Sequence, residues 1–461
     1  MARLTISGWF IAWVVGLASL HLQTTASAQP PQVLTRVFFQ DDATQTIKWA
    51  DLLAGEKPVM GPVREIQGFP KLDPERQRIV GLQQSGGLLL ALVRDNDHGQ
   101  FQSGWVLVEC GVYQEAHGDH SHWLYPVAPR IRAVQLDGQQ GNPARLYEYD
   151  GAFHWTVESQ GGFMRLDPAS IGPNDSPATV TKRIAFHRGG SGAMTLSSVG
   201  KVVAFSTWDD AEGAHAGRVD VTAIKPVGND KPTFSFQLPV AGARESTANH
   251  GKVFFATAEG LTWVAIPPRI ASTTTTLPAT NIAIEEAADS PTASRFLNYG
   301  HFVTFTAGAG ERAAICYLDA SAVSPRVLRL PLKMAEGEVP GEHVVIRNRR
   351  GQPVAFVFHE SAAEAVTTGN LAFVELDPDR NGDWSDAKLA LTLNVGGSGS
   401  AESGRRRSLS VESDNRRAVY SNPGDGTLMV LSIDERRTVT GFKVGGAPTR
   451  VVTVGGRVSN H

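Results

Sequence analysis

The stretch ECGVYQEAHGDHSHWLYP holds His117, Asp119, His120 and His122 in the order H-x-D-H-x-H, so that three of the chain's 13 histidines fall within six residues. Neutral imidazoles and a carboxylate are donors that suit zinc, and three or four of them satisfy its tetrahedral preference. In an extended segment residues 120 and 122 project to one side, and a turn at Gly118 can bring residue 117 round to join them. Cys110 could add a thiolate, although its place at a strand end favours burial. Metal binding at this spacing does not require catalysis. The chain has no H-E-x-x-H, so no glutamate stands where the general base of a zinc peptidase would be. The order also differs from the H-x-H-x-D-H of metallo-β-lactamase hydrolases. There is no C-x-x-C-H for haem attachment and no G-x-S-x-G elbow.

A second group of donors lies in LDPDRNGDWSD. Asp377, Asp379, Asn381 and Asp383 alternate around Gly382 as in a calcium loop, where hard oxygens at positions 1, 3 and 5 and a carbonyl at position 7 suit the ion. Position 12 is Lys388 instead of glutamate, so the loop is not a complete EF-hand; Asp386 is a candidate late carboxylate. The alternative is an ordinary polar hairpin between LAFVEL and AKLALTL.

The elements that must position these residues are strands. GKVVAFSTW, GKVFFATAEGLTWVAI, QPVAFVFHE and GNLAFVELD are short β-branched and aromatic runs of period two, split by Gly, Asn and Asp turns. Helical periodicity is limited to fragments such as WADLLAG. An apolar strand, a polar turn and a second strand recur at intervals of roughly 40 to 60 residues, the spacing of propeller blades. The expectation is an all-β chain forming a single β-propeller of about seven four-stranded blades over residues 29–461. GGAPTRVVTVGGRV at the C-terminus reads as a first strand with nothing after it, and TRVFFQDDATQTIKWADL as second and third strands with nothing before them. Joined, they complete one blade and close the ring without open edges.

Residues 1–28 read as a secretory signal: Arg3, an apolar run, then Ala26-Ser27-Ala28 before a cut at Gln29. The mature chain is then expected in a periplasm or outside the cell, with no later membrane span. Lysines and arginines number 43 against 46 acidic residues, a net charge of −3 that argues for neither nucleic acid nor a membrane surface as partner. Two cysteines exclude a disulfide-dense scaffold; Cys110 and Cys316 either pair or stay as buried thiols.

AHGDHSHW, followed by PARLYEYDGAFHWTVESQGGFMRLD, resembles the periplasmic zinc metallochaperones that are β-propellers and serve ABC-type zinc importers. The motif covers about 50 residues, while the propeller and the secretory signal extend the resemblance over most of the chain. It implies zinc as cargo and a zinc solute-binding protein as partner; the expectation is a monomer without enzymatic activity. It also implies further histidines near the central channel. The position before LYEYDG holds Arg145, and of His154, His187 and His250 it is His187, in AFHRGG, whose context matches best. Two other functions stay open: a non-catalytic interaction propeller with a vestigial metal loop, and a metal-dependent propeller lactonase.

Overall fold

Period-two sequences buried on both faces must be sandwiched between other sheets, and the computed structural model shows how. It describes residues 32–117, 120–210, 212–257, 259–266, 277–282, 284, 295–361, 369–396 and 406–458. The signal expected at residues 1–28 lies outside them. The described residues form eight antiparallel blades of a β-propeller, the first with its outer edge split into Val59–Met60 and Arg64–Glu65. The expected count of about seven is corrected to eight. Outer strands such as Phe234–Gln237 and Leu328–Pro331 are four residues long and partly exposed, so they leave little alternation by which to count blades.

The first blade joins the two ends of the chain: Pro448–Val454 is its inner strand, Val33–Asp41 its second and Thr46–Leu53 its third. The closing pair runs Arg36↔Val454, Val37↔Thr453, Phe38↔Val452 and Phe39↔Val451. Each inner strand then touches the next around the ring, Gln77–Ser85, Pro143–Tyr149, Leu196–Val199, Glu245–Asn249, Leu297–Tyr299, Glu338–Arg347 and Leu409–Val411, back to the first. All of them run from an upper rim to a lower rim.

Alternation in the second strand explains why both faces are apolar. Phe38 packs with Leu89, Ala91 and Val106 of the second blade, whereas Val37 and Phe39 pack with Val419, Leu428 and Val430 of the eighth. Burying each such side chain stabilises the fold by about 1.5–3 kcal/mol. Cys110 and Cys316 are free, buried thiols. Burial raises the pKa of the Cys110 thiol well above its ordinary range and pushes that of Cys316 up to about 12, so neither offers a ready thiolate.

Candidate metal centre

Between the third and fourth strands of the second blade, Ser103–Glu109 and Arg130–Asp137, the chain inserts a two-stranded hairpin, Tyr113–His117 with His120–Leu124. It follows Glu109, which pairs with Leu88 at the lower rim. Its register is Tyr113↔Leu124, Gln114↔Trp123, Glu115↔His122, Ala116↔Ser121 and His117↔His120. Residues directly opposite in an antiparallel pair share a face, and the face alternates along the strand. Positions 115, 117, 120 and 122 therefore fall on one face of the ladder. His117 and His120 form the last pair of the ladder, while Gly118 and Asp119 lie outside the described residues. His122 is 6% exposed. Trp123, one position along and on the other face, packs against the core shared by the first and second blades. Glu115 was not singled out from the sequence; its two-residue spacing from His117 was the signal that places it on the histidine face.

His187 is not brought to this hairpin. It sits on Ala185–Arg188, the outer strand of the third blade, opposite Phe163 and close to the upper rim. The alternation in AFHRGG turns it inward, where it is fully buried and stacks on Phe163 with ring centroids 5.0 Å apart. His154 lies on the same blade face, 6.3 Å from Phe163. Neither nitrogen of His187, nor Nε2 of His154, has a hydrogen-bond partner among the described residues, while His154 Nδ1 lies 3.2 Å from Ala152 O. Burial, reinforced by the Arg165 cation, pushes His154 down to about 3 and His187 to about 4. Arg145, at the position where the resemblance implied a histidine, donates to Arg244 O at 2.6 Å and to Glu245 at 3.3 Å, reaching past the fourth blade to the fifth. His250 has φ 46° in a lower-rim turn and lines a polar cavity of about 510 Å³ with Tyr149 and Glu245.

The buried histidines set an acid limit on stability. His154 and His343, the latter pushed down to about 4 by burial, both titrate below the ordinary histidine value when folded. The unfolded chain then binds more protons, so their contribution is full above about pH 6.5 and is lost as pH falls, at about 1.4 kcal/mol per unit for each. Glu412, its carboxyl pushed up by burial to about 7, acts with the opposite sign, losing stability as pH rises from about 4.5 to about 7. Comparing His154→Phe with the parent isolates one histidine. Their difference in unfolding free energy, measured in urea, is expected to change by about 2 kcal/mol between pH 7 and pH 5; a difference constant with pH would contradict a buried neutral imidazole.

In the second loop, Asp377, Asp379 and Asp386 bring one carboxylate oxygen each within 4.8 Å of the others. Asp377 is buried and its two oxygens accept the backbone N–H groups of Asn381 and Gly382, both at 3.1 Å. Asp383 stands outside this group of carboxylates. Asn381 donates through Nδ2 to Asp379 and accepts Asp383 N, and Asp383 accepts Ser385 N. The loop is anchored by Trp384, which stacks on Phe302 at 3.8 Å.

Fold and hairpin together define an eight-bladed β-propeller that carries a histidine-bearing hairpin on its lower rim. No family model and no curated protein matches the chain. Among solved structures it is similar to apo AztD from Citrobacter koseri, at 15% identity and a TM-score of 0.60 over 93% of this chain and 99% of that one. A crystal structure of C. koseri AztD gives 16% identity and a TM-score of 0.59 over 93% and 100% of the two chains. At this identity the likeness is one of fold, and the propeller implied by the sequence resemblance has its structural counterpart there. No helix among the described residues is long and apolar enough to cross a membrane.

Proposed function

We propose that the protein is a periplasmic, monomeric zinc metallochaperone: a non-enzymatic propeller that binds zinc through His117, Asp119, His120 and His122 and passes it by ligand exchange to a solute-binding protein of an ABC importer. The observation that carries this reading is the hairpin register, which sets positions 117, 120 and 122 on one face at the lower rim. Support comes from the HGDH segment, the secretory signal read at residues 1–28 and the fold shared with AztD. Ligands at a hairpin end can be exchanged one at a time, which suits hand-over better than a closed cage would. His187, buried at the opposite rim, would act as a separate or second-stage ligand. Delivery is tested by loading tag-free protein with zinc and adding an apo solute-binding protein or a chelator. Transfer to the protein acceptor should outrun release to the chelator, and equal rates would mean passive dissociation.

We propose further that the loop at residues 377–386 holds a structural calcium ion, with Asp377, Asp379 and Asp386 as carboxylate donors and Asn381 and Asp383 completing the oxygen set. Binding to the folded state alone stabilises by about 2.7 kcal/mol when calcium exceeds its Kd 100-fold. Calcium added to chelator-treated protein should raise Tm by several degrees, zinc should not substitute, and Asp377→Ala should remove the response. An unchanged Tm would leave a plain hairpin.

A further inference from the structure

Arg36, on the second strand of the first blade, is 2% exposed. A buried guanidinium is tolerated only when its donors are matched, and here the matches point to the metal hairpin. Nε and Nη2 donate to the two oxygens of Asp51 at 2.7 and 3.1 Å. Nη1 donates to Val127 O at 2.7 Å and Cys110 O at 2.9 Å, with Gly111 O at 3.4 Å. Cys110 and Gly111 precede the hairpin's first strand, and Val127 follows its second. One side chain of the ring-closing blade thus holds both feet of an insertion in the next blade. Gly111, at φ 66°, allows this approach, because a Cβ there would collide with Val127 O. The guanidinium also lies 5.6 Å from the Tyr125 ring, whose hydroxyl donates to Gly456 O at 2.6 Å, just beyond the closing strand.

We infer that Arg36 is the positioning residue of the metal hairpin and couples zinc affinity to closure of the ring. This rests on the zinc reading above. A two-stranded hairpin is marginal by itself in water, so the order of its ligand face depends on what holds its feet. With the clamp gone the feet separate, and the ligands must be assembled against a larger conformational entropy. By reciprocity, zinc binding tightens the closing pair of Val33–Asp41 with Pro448–Val454.

The test is a zinc competition titration on the tag-free full chain, comparing the parent with Arg36→Met, Tyr125→Phe and Arg407→Met. Arg407 is a control of the same chemistry: a guanidinium 1% exposed, 3.6 Å from Glu360 between the seventh and eighth blades, remote from the hairpin. Loss of groups that orient ligands typically weakens metal sites by about 10- to 100-fold, and that is the loss expected for Arg36→Met. Tyr125→Phe should show a smaller loss, and it decides the matter if Arg36→Met does not fold. Arg407→Met should lower Tm and leave zinc affinity intact. Zinc should also slow amide exchange in residues 33–41 and 448–454 of the parent. The inference is overturned if folded Arg36→Met, or Tyr125→Phe in its stead, binds zinc as tightly as the parent, or if Arg407→Met weakens zinc equally. A parent that binds no zinc removes the metal reading itself, and this inference with it.

Discussion

Deletion of residues 446–461 is expected to abolish the cooperative unfolding transition. It removes the whole inner strand of the first blade, and with it the pairing of Arg36 to Phe39 with residues 451–454. Val451 and Val454 leave the cores shared with the eighth and second blades. Arg450 no longer donates to Gln40, Ile79 O and Val80 O, and Ala447 N no longer caps Asp41. Each lost hydrogen bond is worth about 0.5–1.5 kcal/mol and each buried valine about 1.5–3 kcal/mol. Their sum is of the same size as the net stability of about 5–15 kcal/mol typical of a folded protein. Far-UV circular dichroism and calorimetry should show a partly folded chain without a sharp melt, and adding the excised strand as a peptide should restore the transition in part. A truncated protein that melts like the parent would defeat ring closure as the organising contact.

Ring closure was legible because of composition at particular positions. PTRVVTV, read as a first strand without its partners, puts Val451 on one face and Val452 and Val454 on the other, and VFFQ, read as a second strand without its first, puts Val37 and Phe39 on one face and Phe38 on the other. A strand buried on two faces needs two neighbours, so the two orphans imply each other. Blade number was less legible, since outer strands such as Phe234–Gln237 and Leu328–Pro331 are short and partly exposed and offer little alternation. For the site, the histidine spacing indicated a common face, which the register agrees with, but period two says nothing about the rim at which a residue lies. That is why His187 could be matched by its AFHRGG context and yet not be located at the upper rim, away from the hairpin. Arg36 was beyond reach of pattern altogether: its partners at Cys110 and Val127 are 74 and 91 residues away, and they are backbone carbonyls that any residue would offer.

Replacing His117, His120 and His122 together by alanine should produce the largest change in ligand binding. Removal of groups that only orient ligands costs about 10- to 100-fold, so loss of three imidazoles should weaken zinc by more than about 1,000-fold. Asp119→Ala should fall in the smaller range if the carboxylate orients a histidine instead of binding the metal. Because imidazole must be neutral to ligate, the parent's affinity should decline steeply as pH falls below about 6. The fold should be little affected, since the hairpin is an insertion outside the eight blades.

The most direct test is an equilibrium zinc titration against a competing chelator, on parent and triple variant purified without a His tag and stripped of metal. The tight component should be present in the parent and absent from the variant, with both zinc-free proteins folded and melting cooperatively. Equal affinity in the two would show that the hairpin is not the zinc site and would contradict the metallochaperone function proposed for the propeller.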